Sequence, residues 1–568
     1  MVNHARGHCT WHIAPDNRAG ARALAQELDI HPALARVLLL RGARDAAAAR
    51  QFLNPSIEDL SDPFALTDMR VAVDRITAAR NNGETVMVFG DYDVDGIAGT
   101  ALMVRALRRF GIARCTYGMP NRQLEGYGLS AGRVETARGQ CVSLIVTVDN
   151  GISAHEAVER ARLHGIDVII TDHHQIDRGI PGALAVINPK REPPDHPAAN
   201  ICGAGVALKL AHALTGEVHD LDLAALGTIA DVVPLTGENR IIAALGLRDA
   251  AAHARPGLKA LAAVSKVTLE TLRSEDVAFQ LAPRINAGGR MSDGLAGLEL
   301  LLTDSHEEAR HNAEDLDAAN EERKAVETGT LAEALALLKA DFSQDQRAIV
   351  LANRGWHRGV IGIVASRVQA THFRPVVMIA LDGEGLGRGS ARSIHGFNIA
   401  AAFETCSDHL EACGGHAMAA GLTIREEKLP AFCAAFEQAA RAVLAPGELS
   451  RVLEIDTQVS LTEVDPRLVR TMEKLQPFGQ GNSAPVFCSF GVQAPVDSWR
   501  LLRGGHLKFC AKDGPKLVDV IGFRMGDRMD ALAGAEAFDI AFTPQLNTWR
   551  GETNVQLVLK DIRVAGGE

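Results

Sequence analysis

Thr85-Val-Met-Val-Phe-Gly-Asp91-Tyr-Asp93-Val-Asp95-Gly96 is a short β-branched run that breaks at a glycine and then sets three carboxylates on alternate positions. A run of this kind, bounded by Gly and Asp, reads as a buried parallel strand with its acids just past the carboxyl end. Two further stretches repeat the pattern: Leu144-Ile-Val-Thr-Val-Asp149-Asn150-Gly151 and Asp167-Val-Ile-Ile-Thr-Asp172-His173-His174. Ligand sites of open α/β sheets lie beyond the carboxyl ends of the strands, so these acids are expected to meet at one edge. Carboxylates with one or two imidazoles and no thiolate form a donor set that suits Mn²⁺ or Mg²⁺. Two such cations, roughly 3.5–4 Å apart, lower the pKa of bound water and clamp the oxygens of a phosphodiester. The expectation from the residues is therefore a two-metal phosphoesterase centre.

Each motif has a plainer reading. Asp91, Asp93, Asp95 and Gly96 imitate the first half of a calcium EF-hand loop, but the twelfth position, which needs a bidentate Glu, is Leu102, and a strand precedes the loop. A solvated acidic turn is the other alternative, and mutual repulsion of three neighbouring carboxylates weighs against it unless a cation is present. Asn150-Gly151 is a common turn dipeptide. Asp172 can ligate metal or orient a histidine, and two adjacent imidazoles are more than one structural histidine explains. Asp231, in Gly227-Thr-Ile-Ala-Asp231-Val-Val-Pro-Leu, is equally well a helix-terminal acid.

Outward from these strands, residues 84 to 235 alternate short apolar runs with helical stretches such as 101–109 and 155–162, the βαβ signature of a doubly wound sheet. Residues 1–80 form an Ala- and Arg-rich helical lead-in, and 81–303 the catalytic α/β domain. Residues 304–340 carry almost no Gly and no Pro and predict a long connecting helix; 341–445 form a second α/β domain. Residues 450–568 change to evenly spaced short strands, which predict a small β-barrel of the OB type. In that barrel Phe509, Phe523 and Trp549, with Lys508, Arg524 and Arg550, could stack and neutralise a single strand, or else fill the core.

The 568 residues exceed what one core can organise. A net charge of −11 argues against a general nucleic-acid coat without excluding a local basic channel. Nine scattered cysteines with no C-x-x-C pair support neither a zinc ribbon nor a disulfide framework, and suit a reducing cytoplasm. No stretch has the length of a signal peptide core or a membrane span, so a soluble cytoplasmic protein is expected; a monomer is expected as well.

Phe-Gly-Asp-Tyr-Asp-Val-Asp-Gly, Val-Asp-Asn-Gly, Thr-Asp-His-His and Ala-Asp-Val-Val-Pro-Leu resemble the successive motifs of the DHH phosphoesterase superfamily. The first and last resemble most its branch of single-strand-specific 5′→3′ DNA exonucleases. Ala282-Pro-Arg284-Ile-Asn286-Ala-Gly-Gly-Arg290, Gly389-Ser390-Ala-Arg392, Gly414-Gly415-His416 and Gln476-Pro-Phe-Gly-Gln-Gly-Asn482 extend the likeness over essentially the whole chain. The resemblance implies a DHH domain, a DHH-associated domain and an OB-fold-like domain. It implies Asp93, Asp95, Asp149, His173 and Asp231 as metal ligands, with Asp91, Asp172 and His174 ligating directly or from behind. Phe89 stands where many superfamily phosphatases have a histidine. The DHH-associated domain is implied to hold a 5′-terminal phosphate through Ser390, Arg392 and His416, aided by Arg290 and Arg122. Implied partners are single-stranded DNA, single-strand-binding protein and a RecQ-type helicase in recombination and repair. Two other readings stand beside it, a phosphodiesterase for oligoribonucleotides or cyclic dinucleotides and a non-catalytic strand-binding relative. Independently of the likeness, the glycines at 383, 385, 387 and 389 would let backbone amides approach an anion or would mark a flexible hairpin. A chain ending near residue 448 is expected to keep the chemistry, with packing of Pro477-Phe478-Gly479 against the core as the complication for its solubility.

Overall fold

The computed structural model describes residues 9–566 except 16, 121–126, 292–293, 344, 446–448, 450, 533–534 and 550, and leaves out the side chains of Arg290, Met291, Asp341, Asp530, Ala531 and Trp549. The chain divides into two compact units. One comprises Trp11–Asn286, Gly294–Ala313 and Leu453–Glu568; the other includes Ala287–Asp293 and Glu314–Val452.

The described chain opens with β1 (Thr10–Ile13) and three helices, Arg18–Leu28, Pro32–Leu40 and Ala46–Leu53. Their starts are written locally: Asn17 and Asp45 cap with side-chain oxygens, and Pro32 stands at the first helical position, where no amide hydrogen is needed.

The catalytic sheet is built from β2 (Thr85–Phe89), β3 (Arg114–Gly118), β4 (Val142–Val148), β5 (Asp167–Thr171) and β6 (Ala185–Ile187), all parallel, in the order β3-β2-β4-β5-β6. Every residue of β2 is buried, as a sheet covered on both faces requires. One face packs Met87, Phe89, Ile145 and Ile170 under Val134, Val158 and Ala161. The helix Val94–Phe110, buried along most of its length, follows β2 and ends at Gly111 in the left-handed conformation. The chain adds β3 on one side of β2 and β4 on the other, so the order reverses between β2 and β4. That switch point opens a crevice at the carboxyl ends of the two strands.

The other unit holds β7 (Ile349–Asn353), β8 (Val376–Leu381), β9 (Leu386–Arg392), β10 (Ala412–Gly415) and β11 (Ala419–Arg425) in the order β10-β11-β9-β8-β7, antiparallel except for β7 with β8. The helix His306–Asp341 runs 36 residues, its first eight clustering with the catalytic unit and the rest with this one. Of the alternating glycines, Gly387 and Gly389 have a packing role, while Gly383 has open space around it and Gly385 takes a positive φ in the turn. A Cβ on Gly387 would stand 2.8 Å from Ile379, and one on Gly389 2.8 Å from Leu422, so the run lets β9 lie close between β8 and β11.

After β12 (Val452–Ile455), the barrel comprises β13 (Thr457–Gln458), β14 (Phe487–Val492), β15 (Arg500–Leu502), β16 (His506–Asp513), β17 (Lys516–Gly522), β18 (Phe538–Trp549) and β19 (Glu552–Val564), in the order β13-β14-β18-β19-β17-β16-β15. Its core is continuous with the N-terminal helices: Ala21, Leu24, Leu34, Leu38 and Ala49 pack in one cluster with Leu461, Phe487, Phe509, Phe538 and Ile562. The first helices of the chain thus complete the last domain. Phe509 belongs to this core, stacked on Trp499 at 4.3 Å, whereas Phe523 is half exposed. Among the described residues no helix is long and apolar enough to cross a membrane.

Candidate metal centre

Asp93 caps the helix Val94–Phe110, its Oδ1 accepting the amides of Asp95 at 3.0 Å and Gly96 at 3.1 Å. Asp95 is buried against the start of the helix Gly203–Thr215: Oδ2 accepts from the Gly203 amide at 2.7 Å and Oδ1 from Ala204 at 2.9 Å. The partial positive charge of that helix end offsets part of the cost of burying a carboxylate. The approach needs bare backbone. A Cβ on Gly227 would fall 2.5 Å from Asp95 Oδ1, and one on Gly203 2.5 Å from the Asp149 Cβ.

Asp149 follows β4 with φ of +62°, in the left-handed region, and is almost wholly buried. Asn150 braces the turn, its Nδ2 donating to the carbonyls of Phe89 at 3.1 Å and Val148 at 2.9 Å, which ties β2 to β4 at the switch point. Asn150 is a turn residue and a strut at once.

After β5, the Asp172 carboxylate is consumed by its own surroundings. Oδ1 accepts from the amides of His173 and His174 and lies 2.8 Å from His174 Nδ1; Oδ2 accepts from the Ile152 amide at 2.9 Å. This wiring makes Asp172 the residue that orients the His174 ring and pins the backbone of His173. His173 Nε2 then stands 3.1 Å from Asp149 Oδ1, 3.7 Å from Asp231 Oδ2 and 3.8 Å from Asp95 Oδ2. Asp231 both ends the helix Leu221–Ala230 and reaches this centre.

Among the described residues, three sets of donors each lie within 4.8 Å of one another: Asp91, Asp93 and Asp149; Asp95, His173 and Asp231; and Asp149, His173 and His174. Asp149 Oδ1 and His173 Nε2 are buried 3.1 Å apart, and neither makes a hydrogen bond. Burial, then the neighbouring acids, push Asp149 well above the carboxylate range and Asp231 to about 8, and burial raises Asp95. Burial holds His173 below the usual imidazole value; it opposes protonation of His174 too, but the Asp172 bond and charge carry His174 up to about 9. Orphaned donors among crowded, desolvated acids fit a divalent cation, which would supply the missing partner and reverse the repulsion.

Residues 85–230 match the DHH family, N-terminal domain, 345–442 the DHHA1 domain, and 455–561 the RecJ OB domain. The chain is 36% identical to the single-stranded-DNA-specific exonuclease RecJ of Escherichia coli (strain K12), over 94% of this chain and 96% of that protein. It is likewise 36% identical to the protein of that name from Bacillus subtilis (strain 168), over 98% of this chain and 71% of the relative. The chain belongs to the RecJ family. A crystal structure of RecJ in complex with Mn²⁺ from Thermus thermophilus superposes with a TM-score of 0.85 at 32% identity, covering 99% of this chain and 81% of that one.

The RecJ-like motifs outside the metal centre fall as follows. Ser390 and Arg392 lie on β9, half buried, where Arg392 donates to the hydroxyls of Ser366 at 3.1 Å and Ser390 at 3.3 Å. Exposed His416 sits in the tight turn joining β10 to β11, next to Ala419, which pairs with Arg392. Arg290 lies in the helix Ala282–Met291, its side chain outside the described residues, as is all of Arg122. Reading the sequence missed three supports. Tyr127 donates to the Asp149 carbonyl at 2.7 Å and lies 3.0 Å from His174 Nδ1; Asn286 accepts the Val94 amide at 3.2 Å; and Gly203 with Ala204 holds Asp95. Only the small-residue run Gly203-Ala-Gly205 hinted at a close approach.

Proposed function

We propose that this chain is a metal-dependent 5′→3′ exonuclease that hydrolyses single-stranded DNA to 5′-mononucleotides in recombination and repair. The observation that carries the chemistry is the convergence of Asp95, Asp149, Asp231 and His173 on one buried centre with Asp149 Oδ1 and His173 Nε2 unpartnered. Asp91, Asp93 and Asp149, and Asp95, His173 and Asp231, are the two sets of side chains that would hold Mn²⁺ or Mg²⁺. When bound, the cations make a bound water a nucleophile at neutral pH and neutralise charge on the phosphate and the leaving oxygen. The protein's own part is positioning. Helix-end amides fix Asp95, the Asn150 strut fixes Asp149, and Asp172 fixes both histidines. With Nδ1 of His174 held against Asp172, Nε2 is the nitrogen that can exchange a proton with the leaving group.

Ser390 and Arg392, with His416, Arg290 and Arg122, would bind the 5′-terminal phosphate, for which the guanidinium fork is suited. The OB domain would hold the strand further along. We place the protein in the cytoplasm as a monomer, working beside single-strand-binding protein and a RecQ-type helicase. The test is digestion of 5′-labelled single and double strands with Mn²⁺, Mg²⁺ or EDTA. Release of mononucleotides from single strands with either metal and none in EDTA supports the reading; metal-independent cleavage, or equal cleavage of duplex, removes it.

A further inference from the structure

The motif Gln476-Pro-Phe-Gly-Gln-Gly-Asn482 precedes the main barrel strands, yet it is bonded to the loop that carries Asp231. The Leu235 amide donates to the Gln480 carbonyl at 2.7 Å. Gly479 lies so close that a Cβ would stand 2.7 Å from Leu235 Cδ1, and one on Gly481 would stand 3.1 Å from Pro234. The segment is itself held rigid. Asn482, fully buried, donates Nδ2 to the carbonyls of Leu475 at 2.8 Å and Pro477 at 2.9 Å, while Ser274 donates to Phe478 at 2.6 Å.

Arg240 completes the joint. Its guanidinium donates to the carbonyls of Lys474, Leu475 and Gln476, its Nε to that of Phe52, and it lies over the Phe52 ring at 3.9 Å. The neighbouring Asn239 donates to the Pro234 carbonyl at 3.0 Å and to Asn200 at 2.7 Å. Adjacent residues of one helix, Gly237–His253, thus grip the barrel's entry segment and the Asp231 loop.

The loop needs a grip. Val232, directly after Asp231, has φ of +59°, a left-handed conformation that a β-branched residue does not adopt unaided, and the residue is 64% exposed. Strain of this kind persists only where the surroundings over-determine it, and here they are residues 234–235 and their partners. Released, the turn would relax and carry the Asp231 carboxylate away from His173.

We propose that residues 474–482 are a positioning element of the metal centre, holding Asp231 in place through Pro234 and Leu235. The barrel domain therefore contributes to metal affinity as well as to DNA. This rests on Asp231 being a ligand, as proposed above.

The test uses the full-length protein and Mn²⁺ alone, titrated by electron paramagnetic resonance of the free ion. Gly479→Ala pushes on Leu235, and Asn482→Ala loosens the segment. Each is expected to weaken Mn²⁺ binding about tenfold, the scale seen when residues behind metal ligands are changed, with single-strand binding in EDTA unchanged. Hydrolysis should lose kcat at limiting Mn²⁺ with KM unaltered, and saturating Mn²⁺ should restore it. Adding Val232→Asn, a residue that tolerates positive φ, should recover much of the lost affinity. Wild-type Mn²⁺ affinity in both single variants, or a loss that Val232→Asn leaves untouched, overturns the proposal. Asp231→Asn is the control: if it binds Mn²⁺ as wild type does, the ligand assignment itself is wrong.

Discussion

The catalytic sheet and the sheet of the DHHA1 domain present function in opposite ways. At the first, strand ends and helix ends deliver carboxylates into a buried crevice, where backbone amides fix Asp93 and Asp95 and neighbouring acids repel Asp149. At the second, an antiparallel strand and a tight turn offer Ser390, Arg392 and His416 half buried or exposed, with Arg392 held by two hydroxyls. A buried site of like charges is paid for by folding and returns that energy when a cation enters; the proposed phosphate site, of hydroxyls and one guanidinium nearer the surface, needs no such stabilisation. Metal should therefore govern stability and turnover at the first site, and substrate ends should govern preference at the second.

The sharpest way to break this contrast is at Asp149. Asp149→Ala should lower hydrolysis by about a thousandfold or more, the equivalent of several kcal/mol of transition-state stabilisation, while single-strand binding in EDTA persists because phosphate contacts and stacking supply it. Near-normal turnover in Mn²⁺ would dismiss the assignment. Arg392→Ala should instead leave Mn²⁺ binding intact and reduce the preference for a 5′-phosphate over a 5′-hydroxyl by about 10- to 100-fold, as loss of a charged hydrogen bond worth about 1.5–3 kcal/mol predicts. Kinetics on the two ends measure it, and an unchanged ratio removes Arg392 from that role. Phe523, half exposed beside His506, is a barrel aromatic open to stacking among the described residues. Phe523→Ala should weaken long single strands by about tenfold and leave short ones alone; equal losses on both would argue for a packing role.

The smallest effect is thermal. Folding raises Asp231 to about 8, far above an unfolded carboxylate, so in metal-free protein its charging costs stability progressively between pH 4 and 8. His174, raised to about 9, contributes stability that is full below its unfolded value near 6.5 and is lost as pH rises towards 9. Both make the metal-free protein weaker at high pH, and bound cations oppose the first. The unfolding temperature in Mn²⁺ minus that in EDTA should grow by a few degrees from pH 5.5 to 8. A difference that shrinks over that range contradicts the electrostatic account.

Much of the catalytic edge was legible because a strand and the acid ending it are contiguous in sequence: β2, β4 and β5 each announce Asp91 to Asp95, Asp149 and Asp172 to His174. The three-part α/β, α/β and OB-like architecture followed from periodicity and motif order. What stayed hidden depends on contacts between distant segments. An amphipathic helix declares that it has an apolar face and not what covers it, so nothing in 18–53 foretold a core shared with the barrel. Gly387 and Gly389 suggested an anion, but the neighbours that crowd them, Ile379 and Leu422, lie on other strands. The expectation that a chain ending near 448 keeps its chemistry came with a packing role for Pro477-Phe478-Gly479, and what the sequence did not show is the partner: Arg240, whose guanidinium donates to the carbonyls of residues 474–476.

Counting bound Mn²⁺ tests the central claim most directly. Equilibrium dialysis of the full-length protein with metal analysis should give two Mn²⁺ per chain for wild type and no more than one for His173→Ala, with single-strand hydrolysis lost in step. A wild-type chain that digests single-stranded DNA with fewer than one bound cation, or a His173→Ala chain that still holds two, would contradict it.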